Sequence, residues 1–297
     1  MSKINFDYYS GEDIYSDGAI EDEILNIVKN NIYFNEIIKN DNRWPILYHL
    51  SPHRRNLLEW YQFSKGSSIL EIGAGCGALT GLFCEKLKKV VAVELSKKRA
   101  EIIAERYKNV TNLEIIVGNL NDIQFFEHFD YITLIGVLEY AGKYTDEQHP
   151  YLSFLKKVKG LLKKEGTLLI ALENKFGLKY WGGYREDHSG KLFQGIEGYV
   201  DSKDIVTFSK DELKELLFNA GFKDINYYYP MPDYKIPHQI FSDEFLPRLG
   251  QIDENFPNFD QERLKLFNEK LVYNNLILDK KFDFFANSFL IFCKLGD

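Results

Sequence analysis

The stretch that decides the fold is Ser68-Ile-Leu-Glu-Ile-Gly-Ala-Gly-Cys-Gly77. Its first half is short and apolar, which predicts a buried strand over residues 68–72. Glycine then occupies every second position from Gly73 to Gly77, and the apolar spacing of residues 78–87 predicts a helix. Because glycine lets the backbone turn sharply and approach a ligand closely, a strand that enters a helix through such a turn is a candidate binding site.

Short apolar segments and helical segments alternate downstream of this turn. The pattern predicts strands at 90–93, 113–117, 131–135 and 167–172, with helices at 97–107 and 151–162 between them. Such alternation is typical of parallel βαβ units joined by right-handed crossovers. The sequence therefore predicts an α/β fold: a Rossmann-like, doubly wound sheet.

The C-terminal part adds one more helix and two more strands, which makes seven strands in all. Ser209 and Glu212 form a capping-box pattern before a helix at 210–219, and Gly221 follows it. Strands are expected at 222–229 and 284–292, with a helix at 261–273 in the long connection between them. A long connection that leads back to a final strand predicts an antiparallel last strand.

The first sixty residues have a helical pattern, with apolar residues on one face at 20–28 and a Ser-Pro helix start at Ser51. We therefore expect an N-terminal helical lid over 1–60 and a core over 61–297. Segments 176–207 and 230–282 are expected to cover the substrate. The second of these is the insertion before the last strand.

Composition excludes several classes of protein. The net charge is −7 over 297 residues, which disfavours a nucleic-acid partner because phosphate binding needs an excess of Lys and Arg. Three cysteines are a poor disulfide framework, and the first 22 residues lack a signal-peptide pattern, so a cytoplasmic protein is expected. No apolar run approaches the ~18 residues of a membrane span, so no membrane insertion is expected.

The glycine spacing separates two kinds of nucleotide site. Dinucleotide-binding turns read G-x-G-x-x-G, whereas this chain reads G-x-G-x-G, with an acid, Glu71, two residues before Gly73. A second acid, Glu94, ends the next predicted strand, where a carboxylate can accept both hydroxyls of an adenosine ribose. This stretch resembles motif I of class I S-adenosylmethionine (SAM)-dependent methyltransferases, and residues 136–140 resemble their motif IV.

The resemblance implies SAM as the cofactor and a set of residues that bind it. These residues lie on the N-terminal helices, in the glycine turn and at the ends of the predicted strands: Tyr48, Arg54, Glu71, Gly73, Ala74, Gly75, Gly77, Glu94, Leu95, Asn119, Leu120 and Gly136.

A finer resemblance is carried by four strings, at 48–56, 173–188, 195–199 and 230–234. They are similar to a bacterial methyltransferase subfamily associated with cell-surface glycan and polysaccharide biosynthesis. This similarity implies a small-molecule or sugar-containing acceptor and, as partners, other enzymes of glycan biosynthesis. The oligomeric state does not follow from the sequence.

Methylation of a hydroxyl requires removal of its proton, and histidine is the usual base near neutral pH. His188 follows Asp187 in the loop after the fifth strand, where ligands bind in open α/β folds. We therefore expect His188, Asp187 and Tyr140 to be the catalytic residues. No H-E-x-x-H or C-x-x-C motif occurs, so no metal is expected.

The expected activity is O-methylation by a SAM-dependent methyltransferase. Two alternatives stay open. One is a non-catalytic SAM-binding or scaffold module in a glycan-assembly complex, and the other is an NAD-dependent oxidoreductase of Rossmann type. The glycine spacing disfavours the second.

Overall fold

The structure is a computed structural model, which describes residues 3–13, 15–30, 33–145, 148–201, 204–257 and 262–296. The chain divides into two compact units. The first unit comprises Met1–Leu134 and Gly160–Thr167, and the second comprises Ile135–Lys159 and Leu168–Asp297. The glycine turn belongs to the first unit, and the predicted catalytic residues belong to the second.

Parallel strands form the core of the first unit. They are β1 (Lys3–Tyr8), β2 (Ser68–Ile72), β3 (Lys89–Glu94), β4 (Leu113–Gly118) and β5 (Phe129–Ile135). Their spatial order is β1-β4-β3-β2-β5, and each neighbouring pair is parallel. Strands β2, β3 and β4 are apolar and almost wholly buried, as expected for strands of a parallel sheet that is covered on both faces.

The helical segments of the first unit at 20–30, 52–57, 80–86 and 97–106 lie where helices were predicted, whereas those at 35–40 and 44–50 were not predicted individually. In chain order, the segments are α1 (Ile20–Asn30), α2 (Asn35–Asn40), α3 (Trp44–Leu50), a 3₁₀ helix (Pro52–Leu57), α4 (Thr80–Lys86) and α5 (Lys97–Arg106). Ser96 caps α5 by accepting a hydrogen bond from the Arg99 N–H. Ile24 of α1, Ile46 of α3 and Ile102 of α5 share one buried cluster with Cys76 of the glycine turn. The helices before the core therefore pack on the turn itself.

The strand β1 corrects the prediction that the first sixty residues are helical. Its sequence is short and mostly half-buried or exposed, so it gives little periodic signal. It forms because β4 would otherwise leave a row of unpaired backbone groups at the edge, and Ile4 pairs there with Ile115.

The second unit carries α6 (Ala141–Tyr144), α7 (Pro150–Gly160), β6 (Leu162–Glu173), α8 (Leu178–Trp181), α9 (Lys210–Ala220), β7 (Phe222–Met231), β8 (Gln239–Ser242), α10 (Glu269–Leu278), α11 (Phe282–Phe285) and β9 (Ser288–Leu295). The strands lie in the order β6-β9-β7-β8, and β6 begins in the first unit. The last strand, β9, is antiparallel to β7, as predicted. The capping box of Ser209 and Glu212 forms, and Gly221 ends α9 with a φ of 98°.

Three predictions about the strands and helices were wrong. The described residues contain nine strands rather than seven, because β1 and β8 were missed. The predicted helix at 261–273 begins only at Glu269, and its expected first residue, Gln261, lies outside the described residues. The buried guanidinium of Arg263 binds the Glu269 carboxylate (2.6 Å) and the Phe256 carbonyl (2.9 Å), contacts that override helix propensity. Residues 282–285 form α11 rather than the start of the last strand.

Candidate functional site

The glycine turn after β2 adopts a conformation that requires glycine. Gly73, Gly75 and Gly77 have φ angles of 72°, 56° and 77°, a region that other residues rarely adopt. A Cβ at Gly77 would lie 3.0 Å from a ring carbon of Tyr107. The N–H groups of Gly73 and Ala74 donate to the Val93 carbonyl, which fixes the turn against β3.

The Glu94 carboxylate lies directly beside this turn. It accepts hydrogen bonds from the N–H of Gly75 (2.7 Å) and of Ser96 (3.0 Å), and the residue is 4% exposed. Burial raises the pKa of Glu94 above its usual value. The structure therefore brings together the two features that the sequence singled out, although they lie on different strands.

Glu71 makes a different kind of contact. Its carboxylate accepts a hydrogen bond from the Thr80 hydroxyl (2.6 Å), and burial raises the pKa of Glu71 to about 8. Since Thr80 begins α4, the contact that the structure shows for this predicted cofactor residue joins β2 to the helix after the turn.

Tyr48 and Arg54, both predicted to contact the cofactor, form a pair. The Arg54 guanidinium lies 4.3 Å from the centre of the Tyr48 ring, and Arg54 is only 4% exposed. Arg106, which the sequence did not single out, donates to the carbonyls of His49 (3.0 Å) and Cys76 (2.6 Å). It thereby connects the N-terminal helices to the glycine turn.

The remaining predicted cofactor residues lie at strand ends. Leu95 is half-buried after β3, Asn119 accepts a hydrogen bond from the Asn121 N–H after β4, and Leu120 is buried. Gly136, with a φ of 68°, belongs to the second unit.

His188 lies in a buried polar cluster of the second unit. Its Nδ1 is 2.9 Å from Glu186 Oε1, its Nε2 is 3.8 Å from Glu139 Oε1, and its ring centre is 5.2 Å from that of Tyr140. Burial disfavours the imidazolium, but the nearby carboxylates of Glu139 and Glu186 outweigh it and raise the pKa of His188 well above its usual value. An imidazolium has no lone pair, so this charge state works against the predicted role of general base.

Asp187 does not contact the ring of His188. It accepts a hydrogen bond from the Tyr180 hydroxyl (2.5 Å), lies 3.0 Å from the Lys179 ammonium and also pairs with Lys235. Burial disfavours its charge, yet these lysines hold the pKa of Asp187 well below its usual value. The residue that orients His188 is Glu186, which sequence reasoning missed.

The fold also brings Glu139 and Glu173 to His188, so that one ligand atom from each of the three lies within 4.8 Å of the other two. Both oxygens of Glu139 and Oε2 of Glu173 are buried without a hydrogen-bond partner among the described residues. No motif of fixed spacing connects these positions, so sequence reasoning did not detect the group.

A comparison with protein families matches residues 70–170 to a family described as "Methyltransferase domain". Residues 70–170 are a methyltransferase domain. The match contains the glycine turn and Glu94, and it decides against the oxidoreductase alternative. The predicted enzyme class and the predicted cofactor, SAM, are thereby confirmed for this domain.

Curated relatives match parts of the chain. A "Probable ribosomal RNA small subunit methyltransferase A" of Methanosarcina barkeri is 44% identical over 64 residues, which are 22% of each chain. A "Demethylmenaquinone methyltransferase" of Staphylococcus carnosus is 25% identical over 58% of this chain and 74% of its own length. The chain spans between about a fifth and a third of the first curated relatives that it matches.

A solved structure supports the fold. Phosphoethanolamine N-methyltransferase 1 of Haemonchus contortus, in complex with phosphoethanolamine and S-adenosylhomocysteine, superposes with a TM-score of 0.51. It is 12% identical, and the alignment covers 95% of this chain and 50% of that one. The predicted Rossmann-like methyltransferase fold with a mixed sheet is confirmed at this level. Among the described residues, no helix is long and apolar enough to cross a membrane.

Proposed function

We propose that this chain transfers the methyl group of SAM to a hydroxyl of a small-molecule or sugar-containing acceptor. The observation that carries the proposal is the contact between the glycine turn and Glu94 inside a methyltransferase domain. The glycine backbone allows close approach of the cofactor. The fixed carboxylate retains lone pairs that can accept the ribose hydroxyls, because each oxygen accepts one hydrogen bond from the protein and has capacity for another.

Tyr48 and Arg54 complete the proposed cofactor site. Arg54 carries a permanent positive charge, held in place by the Tyr48 ring, that suits the carboxylate of the methionine part of SAM. Because the sulfonium methyl is already an activated electrophile, the protein's main task is to align donor and acceptor.

The charge of the His188 cluster supports a neutral acceptor. Five carboxylates, of Glu139, Glu173, Glu186, Asp187 and Asp233, outnumber the three cations paired with them, Lys179, Lys235 and the His188 imidazolium. Such a cluster repels a phosphate or carboxylate group and tolerates a hydroxyl. We therefore keep His188 and Tyr140 as residues of the acceptor side, with Asp187 as the residue that positions Lys235.

The relatives named above act, by their names, on RNA and on a quinone, so they do not define the acceptor of this chain. The net charge of −7 is the argument that favours a small acceptor over RNA. The role in glycan biosynthesis and the cytoplasmic location rest on the sequence alone and stay predictions.

The cofactor part is tested by calorimetric titration of the full chain with SAM. Replacing Glu94 with Ala should weaken binding by about 1–3 kcal/mol, or roughly 5- to 150-fold, through loss of hydrogen bonds to a charged group. Glu127→Ala is the control, because Glu127 is exposed and pairs only with the exposed Lys89 among the described residues. Equal SAM affinity of the wild type and Glu94→Ala would remove the proposed ribose contact.

The acceptor part is tested by transfer of a labelled methyl group to a panel of hydroxyl, amine and carboxylate compounds and to RNA. We expect transfer to a hydroxyl compound, and we expect His188→Ala to lower turnover roughly 100-fold with SAM affinity unchanged, because loss of this side chain would misplace the acceptor. Methylation of RNA alone would replace the proposed acceptor class. SAM binding without transfer to any acceptor would favour the scaffold alternative.

A further inference from the structure

We propose that Glu139, Glu173 and His188 form a binding site for a divalent metal ion. The three residues come from three separate segments: the 3₁₀ turn at Leu138–Tyr140, the end of β6 and the loop after α8. Their ligand atoms, two carboxylate oxygens and one imidazole nitrogen, lie within 4.8 Å of one another. A modest contraction would place all three around one ion at the ~2.0–2.2 Å ligand distances that Zn²⁺ prefers.

Glu139 is the observation that points to a ligand. The residue is 1% exposed, and neither of its carboxylate oxygens has a hydrogen-bond partner in the described part of the chain. His188 Nε2 lies 3.8 Å from Glu139 Oε1, which is too long for a hydrogen bond but suits two ligands of one metal. Buried carboxylates are normally hydrogen-bonded and paired or coordinate metals, whereas in the described part of the chain the Glu139 carboxylate has only this long approach to His188.

Glu173 repeats the pattern on one of its two oxygens. It is fully buried, its Oε1 contacts the Lys235 ammonium, and its Oε2 has no hydrogen-bond partner among the described residues. The lysine therefore occupies one side of the carboxylate and leaves the other available to a metal.

His188 is oriented as a metal ligand. Glu186 holds the Nδ1 side of the ring at 2.9 Å, and Glu186 is fixed in turn by the N–H groups of His188 and Ser189. A histidine that binds a metal through one ring nitrogen usually donates the N–H of its other ring nitrogen to a carboxylate. Glu186 is placed to be that carboxylate, which leaves Nε2 for the metal. Here Nε2 faces Glu139, and binding of the ion would release the proton that this nitrogen carries when no metal is bound.

The charge of the cluster also favours a cation. Lys235 is shared between Glu173 and Asp187, and Lys179 between Asp187 and Asp233, so no lysine among the described residues pairs with Glu139. A divalent ion would neutralise the excess negative charge. Two carboxylates and one imidazole suit Mn²⁺ and Zn²⁺ better than Mg²⁺, which prefers oxygen ligands throughout.

The link to catalysis rests on the proposed function: an ion here would bind the oxygen of an acceptor hydroxyl. Binding itself does not depend on that function, so it is measured without SAM or acceptor. The full-length protein is stripped with EDTA, dialysed and titrated with Mn²⁺ alone while the paramagnetic resonance signal of free Mn²⁺ is recorded. A parallel calorimetric titration uses Zn²⁺ alone.

We expect one equivalent to bind, and Glu139→Gln to weaken it at least tenfold. Glu186→Gln should weaken it roughly 10- to 100-fold, as for other carboxylates that orient a metal-bound histidine. The matched control is Glu254→Gln, because Glu254 also lies close to a histidine, His238 (3.1 Å), but both side chains are exposed. This control and Glu94→Ala should bind the metal as the wild type does.

Two outcomes would overturn the site: no binding of either ion by the wild type, or wild-type affinity in both Glu139→Gln and His188→Gln. Two variants are used so that a folding defect in one leaves the other informative, and circular dichroism checks both. Loss of SAM binding in Glu94→Ala with intact metal binding would separate the two sites. Metal binding in a chain that transfers no methyl group would overturn the proposed function and leave the metal site standing.

Discussion

Glu94 and Glu139 are almost equally buried, at 4% and 1% exposure, but their carboxylates differ in the hydrogen bonds that they accept. Glu94 ends a strand and receives two backbone N–H donors from its own neighbourhood. Glu139 lies in a 3₁₀ turn, and its carboxylate receives no hydrogen bond within the described ranges.

The difference shows what each region is built to do. The Glu94 region is complete as a protein structure, because its carboxylate is satisfied before any ligand arrives. The Glu139 region leaves a buried carboxylate without a hydrogen bond among the described residues, which costs folding energy unless a ligand supplies the missing partner. Variants that add or remove a partner in either region test this contrast.

The largest expected effect on stability comes from breaking the buried ion pairs of Lys235, which lie beside Glu139 in the His188 cluster. Lys235→Met removes the ammonium that contacts both Glu173 and Asp187, and it leaves two buried carboxylates without this partner. Loss of one member of a buried ion pair typically costs about 3–5 kcal/mol of unfolding free energy. Urea unfolding at neutral pH measures this change.

The control for Lys235→Met is Lys191→Met. Lys191 also pairs with a carboxylate, Asp201 at 2.6 Å, but both side chains are more than half exposed, so the loss should be at most about 1 kcal/mol. Similar losses in the two variants would mean that burial of the Lys235 pairs adds nothing to their strength.

Smaller changes in unfolding free energy are expected when Glu94 or Glu139 is replaced by the neutral glutamine, and the two replacements should differ in direction. Glu94→Gln should lower the unfolding free energy by about 1–3 kcal/mol, because its amide NH₂ would face a backbone N–H donor. Glu139→Gln should leave stability unchanged or raise it by up to about 1 kcal/mol, since it removes a buried charge that accepts no hydrogen bond among the described residues. Urea unfolding of both variants in EDTA makes the comparison, and an equal loss in both would contradict the contrast.

Glu71 provides an intermediate case, since its carboxylate accepts one hydrogen bond, from the Thr80 hydroxyl. Its pKa is raised by burial from 4.5 to about 8, so the folded state binds its proton more tightly than the unfolded state. This contribution to stability is fully present below pH 4.5 and is lost as the pH rises towards 8. Relative to Glu71→Gln, the wild type should therefore lose up to about 1.4 kcal/mol per pH unit in this window.

The measurement is the unfolding free energy of both proteins at intervals from pH 5 to pH 8. Parallel curves for wild type and variant would show that Glu71 titrates in the folded chain as it does in the unfolded one.

The sequence was sufficient for elements whose stability is local or repetitive. The strand β2, the glycine turn, and α9 with its capping box all lie within a residue or two of their predicted bounds. It was insufficient where a long-range contact decides the conformation. β1 forms because β4 offers an open edge, and α10 starts late because Arg263 is buried against Glu269.

The same division applies to the candidate sites. The glycine turn and Glu94 were predicted from spacing, because consecutive parallel strands end at one edge of a sheet. The prediction placed Asp187 and His188 together as neighbours in the chain. In the structure, Asp187 instead pairs with lysines, and the His188 ring contacts Glu186. Adjacent side chains in a loop need not face each other.

By itself, the sequence determined the strands and the glycine turn, because strand periodicity and glycine conformation are local properties of the chain, and its resemblance to motif I pointed to a methyltransferase domain. Only the tertiary structure decided which carboxylates are satisfied and which are not. Glu139, Glu173 and His188 meet through the packing of separate segments, and the partners of a buried charge depend on that packing rather than on spacing along the chain.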